Sequence, residues 1–327
     1  MHKKKLFSLI ISLILLLSTV TVCVTAEPLS AGDDALRAEF QKSSGGGLEY
    51  CYYAPENLDG TKYPLFVFLH GIASGSYNGD QVDSYDLCKW ASDEYQSRFY
   101  NAGGCWILCP KALGTWDLTS VETVRSCIDS FVDTHSGSID KSRIYISGFS
   151  LGASMCIKVA AAYPELFAAC LPISPLEHTD SSMEALSNML VWFFACDKDI
   201  YPTATTLAVR TAFNSLKNSA SDKSKVLFTH VSTACYEDGS AVDVQHYMWR
   251  TLTNDMFTSD GSTWPKAVTE DGNGNIVDFT YPDGIIARIS KVTNETNVDT
   301  AGKITFMSKI RAFFQKIIDF FRSLFNK

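Results

Sequence analysis

The sequence predicts an α/β fold, a mainly parallel β-sheet with helices on both faces. Three observations carry this expectation. Short apolar runs that stop at glycine, proline or a turn recur along the chain, as buried strands do. Segments with helical spacing fall between them. Where one apolar run meets a helical one, the chain reads "GFSLG", a Gly-x-Ser-x-Gly stretch at 148–152. With 46% hydrophobic and 20% charged residues, the 327-residue chain has ample apolar content for a packed core.

Taken in order, "GLEYCYYAP" (47–55) reads as an early strand ending at Pro55, and "YPLFVFLHG" (63–71) as a buried one stopping at Gly71. "CWILCP" (105–110) is another. In "TSVETVRSCIDSFVDTH" (119–135), Val121, Val124, Cys127, Ile128, Phe131 and Val132 recur at helical spacing, and Thr119 with Glu122 are placed to form a capping box. "RIYIS" (143–147) is a strand and 151–162 a helix. "NMLVWFFAC" (188–196) reads as strand, "TATTLAVRTAFNSLKN" (203–218) as helix and "KVLFTHV" (225–231) as the last strand. Residues 259–283, rich in Gly, Asp, Asn and Thr, predict a long surface excursion. "PDGIIARISKV" (282–292) returns to a helical pattern that closes the fold.

The flanks differ from this body. Residues 1–26 read as an export signal: a basic start at Lys3, Lys4 and Lys5, an apolar run from Leu6 to Val24, and small residues before Glu27. An uncut membrane anchor is the alternative. Behind a polar linker at 293–303, residues 304–327 repeat Phe306, Ile310, Phe313, Ile317 and Phe320 at helical spacing among Lys309, Arg311, Lys316 and Arg322. This basic amphipathic helix is too charged to span a bilayer and suits a membrane surface. Packing on the body or self-association is the other reading. The body proper is 27–292, and the expected location is secreted or attached to the cell envelope.

Formal charge is −8, but the signal contributes +3 and residues 301–327 contribute +5, which leaves −16 on residues 27–300. So acidic a body repels polyanions, and no nucleic-acid partner is expected. Nine of the ten cysteines lie beyond the signal, an odd number with no framework spacing. Cys105 and Cys109, about 13 Å apart along one strand, cannot join each other. Most of the nine are expected to be small buried hydrophobes. No CxxC occurs, so structural zinc is not expected; the expected chemistry calls for no cofactor.

The Gly-Phe-Ser-Leu-Gly stretch has a mechanical reading. A strand that reverses sharply into a helix lifts Ser150 above the sheet edge in a strained backbone conformation, and side chains at 148 and 152 would collide with neighbouring backbone. The helix that follows aims its positive end at the site. A serine hydroxyl needs a base to take its proton, usually histidine. Among six histidines, His2 is in the signal, His70 precedes the serine, and His135 and His178 come too early for the chain order serine, acid, histidine. His230 and His246 remain. His230 sits inside a strand, the place of a structural histidine. His246, in "VQHYMWR", follows that strand in a loop and is favoured. "VWFFACDKDIYP" supplies Asp197 and Asp199 as acids after a strand. For the oxyanion hole, Leu151 offers the N–H next to the nucleophile, and Ile72, in the loop His70-Gly71-Ile72, offers the second donor.

The residues just named carry a resemblance. "YPLFVFLHGIASGSYNGDQ" (63–81), "IDKSRIYISGFSLGAS" (139–154), "AAYPELFAACLPIS" (161–174), "DKDIYP" (197–202) and "HYMW" (246–249) resemble the secreted polyhydroxybutyrate-depolymerase-like and feruloyl-esterase-like α/β-hydrolases, including relatives described as predicted peptidases. The resemblance covers about 47–292. It implies an α/β-hydrolase fold, places the acid on Asp199 rather than Asp197, and sets the histidine shortly before a tryptophan, as His246 precedes Trp249. The chain departs from that group in having Leu151-Gly152-Ala153 after the serine and Ala195-Cys196 before the acid turn, which itself is one residue short.

The implied chemistry is ester hydrolysis through an acyl-enzyme on Ser150, with His246 as base and Asp199 as its orienter. The expected partner is a small acyl ester or a polysaccharide-linked ester. Trp116, Tyr201, Tyr247 and Trp249, near the candidate loops, would offer an aromatic platform for it, with ordinary packing as the alternative. A serine peptidase on the same scaffold and a non-catalytic envelope-binding module stay open beside the esterase.

Overall fold

The computed structural model describes residues 33–56, 58–71, 87–99, 103–236, 238–249, 266–277 and 284–294. The predicted signal, the 304–327 helix and Ile72 lie outside the described residues. The described residues open with a short helix α1 (Asp33–Ala38) and a hairpin, β1 (Gln41–Gly45) and β2 (Leu48–Tyr53). β3 (Tyr63–Leu69), helix α2 (Asp93–Gln96) and β4 (Trp106–Pro110) follow. Then come α3 (Val121–Thr134), β5 (Ile139–Phe149), α4 (Leu151–Ala162), β6 (Ala169–Ile173), α5 (Asp180–Ala185) and β7 (Leu190–Cys196). α6 (Thr206–Ser219), β8 (Val226–Val231), β9 (Ala267–Asp271) and α7 (Ile285–Ile289) complete the order.

One nine-stranded sheet runs β1-β2-β4-β3-β5-β6-β7-β8-β9. The six strands from β4 to β8 are mutually parallel, and antiparallel strands extend both edges. Being covered on both faces, the central strands are apolar throughout, and their period of two sorts side chains between two cores. Leu65, Val67, Ile144, Ile146, Val191 and Phe193 pack with α3, α4 and α6. Phe66, Phe68, Tyr145, Trp192 and Phe194 face the other way, against the segment holding Leu87, Trp90 and Phe99 and against α7. All nine cysteines from Cys51 to Cys235 are buried, eight of them in these two cores. Among the described residues, no helix is long and apolar enough to cross a membrane.

Two expectations need correction. The stretch 259–283 is not wholly a surface excursion: Ala267–Asp271 is a ninth strand, antiparallel to β8 with His230 opposite Val268. So β8 is not the last strand. The cap of α3 is also displaced by one residue. Ser120 accepts the Thr123 N–H at 3.1 Å, while the Thr119 hydroxyl accepts the Leu113 N–H and donates to the Thr115 carbonyl.

The parallel strands finish in step, and this sets the site. Leu69 of β3 pairs with Gly148 of β5, and Phe149 with Ile173 of β6. Ile173 pairs with Phe194 of β7, and Cys196 with Val231 of β8. The loops leaving these strands share one carboxyl edge, where open α/β sheets gather their chemistry.

Candidate active site

β5 runs straight into α4 through a single residue. Ser150 sits there with φ 56° and ψ −120°, a conformation costly for any residue with a side chain. Its N–H donates to the Ile173 carbonyl at 2.9 Å, and its carbonyl accepts the Ser154 N–H at 3.1 Å, so strand and helix both hold the turn. The flanking glycines are dictated by contact. A Cβ on Gly148 would lie 2.5 Å from the Gly152 carbonyl oxygen, and one on Gly152 would fall onto the carbonyl oxygens of Leu69 and His70. Helix α4 therefore touches the end of β3 directly, and only glycine allows that approach.

Three side chains from three loops then meet in series. His246 Nε2 lies 3.0 Å from Ser150 Oγ, and His246 Nδ1 lies 2.6 Å from Asp199 Oδ2. A carboxylate only accepts, so Nδ1 carries the ring proton and Nε2 is left as the acceptor facing the serine hydroxyl. The other oxygen of Asp199 accepts the Tyr201 N–H at 2.9 Å. All three groups are buried, with relative exposures of 3% for Ser150, 6% for His246 and 4% for Asp199. The imidazole is held between Phe149 and Tyr201, each with its ring centroid 4.8 Å away; the Tyr201 ring is stacked.

The other histidine and the other aspartate also find each other. His230 Nδ1 lies 2.8 Å from Asp197 Oδ1, which also accepts the Thr206 hydroxyl at 3.0 Å. Held in β8 between β7 and β9, His230 belongs to the sheet.

At the amino end of α4, the Leu151 N–H opens the helix with no backbone acceptor among the described residues, so it is available to a ligand atom beside Ser150. On the facing loop, His70 is 1% exposed. Its Nε2 accepts the Ala112 N–H at 3.1 Å, so Nδ1 bears the proton and donates to the Gly71 carbonyl at 2.8 Å. Burial pushes its pKa down to about 4, which keeps the ring neutral. His70 thus ties the start of the 70–72 loop to the exit of β4.

The aromatic platform is smaller than expected. Trp116 is buried, its indole N–H donating to the His70 carbonyl at 2.5 Å. Trp249 is buried too, with its ring 4.4 Å from Phe149 and 4.6 Å from Tyr247. Both are packing residues that support the loops. Tyr201 is 50% exposed and Tyr247 is part-buried, so these two of the set present a face to solvent. Sequence reasoning missed Ser154, whose buried hydroxyl accepts the Leu176 and Glu177 N–H groups at 3.0 and 3.1 Å and pins the loop after β6 to α4. A hydroxyl one turn beyond Ser150 on an otherwise apolar helix face was the available signal.

Sheet order, turn and loop placement define an α/β-hydrolase fold. A solved structure described as a thermostable esterase superposes with a TM-score of 0.53 at 23% identity, covering 67% of this chain and 61% of that one. Residues 48–193 match the model of the Esterase PHB depolymerase family. The matched span holds Ser150 and Leu151 and ends before Asp199 and His246. Feruloyl esterase B of Thermothelomyces thermophilus is 31% identical over 136 residues, 37% of this chain and 42% of that protein. Poly(3-hydroxyalkanoate) depolymerase C of Paucimonas lemoignei is 27% identical over 139 residues, 39% of this chain and 31% of that protein. The chain thus spans less than half the length of these relatives.

Proposed function

We propose that this protein is a serine hydrolase that cleaves carboxylic esters. The hydrogen-bonded series Asp199–His246–Ser150, ending on a serine held at φ 56°, is the observation that carries the reading. The esterase domain match across 48–193 supports it.

In this reading His246 Nε2 takes the Ser150 proton as Oγ attacks the ester carbonyl. The carbonyl oxygen becomes negative and is received by the Leu151 and Ile72 N–H groups. The bond to the alcohol breaks as His246 returns the proton to the leaving oxygen. Water, deprotonated by the same nitrogen, then attacks the acyl carbonyl and releases the acid and Ser150. Asp199 keeps Nδ1 protonated and stabilises the imidazolium in both halves. Positioned acid–base catalysis of this kind contributes roughly a hundred- to ten-thousandfold, and one oxyanion donor about 3 kcal/mol.

The substrate proposed is a short or phenolic acyl ester, free or attached to a polysaccharide, with Tyr201 against the acyl group. Export by residues 1–26 and surface attachment by residues 304–327 complete the reading. The test is a panel of acetyl, feruloyl and hydroxybutyrate esters beside matched amides, with Ser150→Ala and fluorophosphonate labelling as controls. Hydrolysis of esters that disappears with Ser150 is the expected result. Turnover that survives Ser150→Ala removes the assignment, and preferential amide cleavage moves it to a peptidase.

A further inference from the structure

His246 is placed by a loop, and a loop alone does not hold an imidazole to a few tenths of an ångström. The Val244 carbonyl accepts the Tyr247 N–H at 2.9 Å, so Gln245 and His246 are the two central residues of one turn. The Gln245 side chain uses its full hydrogen-bonding capacity. Its Oε1 accepts the Ala234 N–H at 2.8 Å and the Cys196 thiol at 3.4 Å. Its Nε2 donates to the Val242 carbonyl at 2.6 Å and to the Ala234 carbonyl at 3.1 Å. The orientation of the amide is fixed by this set, because a flipped amide would set NH₂ against the Ala234 N–H.

These four bonds reach the exits of β7 and β8 and the approach to the histidine turn. Cys196 ends β7 and precedes the turn that carries Asp199. Ala234 lies just past β8, and Val242 on the approach to the histidine turn. Cys196 also stands where the chain departs from the His-Gly that its resemblance would supply, and burial pushes its thiol pKa up, keeping it a donor.

We propose that Gln245 is a positioning residue for the reaction: its amide locks the histidine turn onto the exits of β7 and β8 and so sets the reach of His246 between Asp199 and Ser150. The inference rests on the hydrolase reading above. Gln245 touches neither substrate nor the reacting atoms. It acts through the turn it shares with His246.

The test compares Gln245→Met, which keeps the length of the side chain without the amide, with Gln245→Glu, which keeps the acceptor oxygen but removes both donor bonds, and with Cys196→Ala, which removes one of the four bonds. Steady-state hydrolysis of a short acyl ester is measured for each, together with the downfield proton signal of the His246–Asp199 bond. A misplaced catalytic group costs up to roughly a hundredfold in rate. For Gln245→Met we expect kcat to fall about ten- to a hundredfold with KM within about twofold, and the downfield signal to broaden away. Gln245→Glu, which sets a carboxylate oxygen against the Val242 and Ala234 carbonyls, should lose at least as much rate as Gln245→Met, and Cys196→Ala should lose about two- to fivefold. Should Gln245→Met not fold, the Cys196→Ala and Gln245→Glu arms decide. Wild-type kcat and an unchanged downfield signal in the variants that fold overturn the proposal. Ser150→Ala, run beside them, separates the two levels. Activity surviving in Ser150→Ala removes the hydrolase reading, whereas an inactive Ser150→Ala beside unaffected Gln245 and Cys196 variants removes only the positioning role.

Discussion

Asp197 and Asp199 leave the same turn to serve different histidines. Asp199 meets His246 at 2.6 Å, and Asp197 meets His230 at 2.8 Å. The difference lies in where each histidine sits. His230 is a strand residue of β8, paired to Ala195 on one side and Val268 on the other, and its pair with Asp197 is partly exposed. His246 is on a loop beyond that strand and reaches back over Ser150, 96 residues earlier. Removing the carboxylate charge should therefore separate two acids that look alike in the sequence. Asp199→Asn is expected to lower kcat by about ten-thousandfold, because the asparagine amide favours the wrong imidazole tautomer. Asp197→Asn should stay within about threefold, because the partly exposed Asp197–His230 contact reaches neither Ser150 nor His246. Steady-state rates on one short acyl ester suffice, and comparable losses in the two variants would contradict this division.

The sequence revealed the central sheet because burial on both faces demands uninterrupted apolar runs, and those runs are visible in the one-dimensional pattern. It revealed Ser150 because the turn excludes side chains at 148 and 152. The edges were less legible. β9, "AVTED", has alternating burial and no apolar run; its pairing, Leu227 with Asp271, is a long-range choice that local pattern does not encode. The cap of α3 was ambiguous because Thr119 and Ser120 are both competent, and the Leu113 N–H decides by claiming the Thr119 hydroxyl. For Trp116 and Trp249 the sequence leaves platform and packing open, since loop aromatics give no sign of what crosses above them. Gln245 carries no signal at all, being one amide among many until Ala234, Val242 and Cys196 close around it.

The tight crossing of α4 over β3 makes a second prediction. Gly152→Ala places a methyl group on two backbone carbonyls that cannot swing aside. Its expected cost is at least ~3 kcal/mol, at the upper end of overpacking. Ser150→Gly should move the other way. It relieves a side chain at φ 56°, and the net gain is about 1 kcal/mol after the added freedom of the unfolded chain. Urea midpoints of these variants beside wild type measure both signs. A Ser150→Gly protein less stable than Ser150→Ala would show that the turn stores no strain.

Tyr201 joins the Asp199–His246 pair to the solvent. Its N–H holds Asp199, its ring stacks on His246, and half of it is exposed. Replacing it with alanine keeps the N–H and removes the ring. An aromatic contact is worth about 0.5–1.5 kcal/mol, roughly three- to tenfold. The expected outcome for Tyr201→Ala is a fall of that size in kcat/KM for a feruloyl ester relative to an acetyl ester. The ratio matters, because any general disturbance of His246 affects both substrates alike and cancels. An unchanged ratio would place the acyl group elsewhere.

His70 gives the protein a specific weakness toward acid. Burial lowers its pKa from the ordinary 6.5 to about 4, with the nearby Lys111 charge acting in the same direction and the bond to the Gly71 carbonyl opposing. In the unfolded chain the imidazole takes up its proton near pH 6.5. Between about 4 and 6.5 the unfolded state therefore binds more protons than the folded one, and stability rises with pH across that window. The contribution is complete above about pH 6.5 and is lost as the pH falls toward 4, on the order of 3 kcal/mol in all. Below 4 the ring gains a second N–H, which faces the Ala112 N–H it had accepted, and the 70–72 loop loses its hold on the exit of β4. His135, also shifted down by burial, loses stability in the same direction. Asp140 and Asp271, whose pKa values lie below the usual carboxylate range, lose theirs only at lower pH. Urea unfolding at pH 7 and at pH 4.5, for wild type and for His70→Gln, isolates the His70 share. Glutamine offers a carbonyl to the Ala112 N–H and an amide to the Gly71 carbonyl but does not titrate. The wild-type protein is expected to lose about 2–3 kcal/mol more than His70→Gln over that interval. Equal losses in the two proteins would mean that the buried ring is not what makes the fold acid-sensitive.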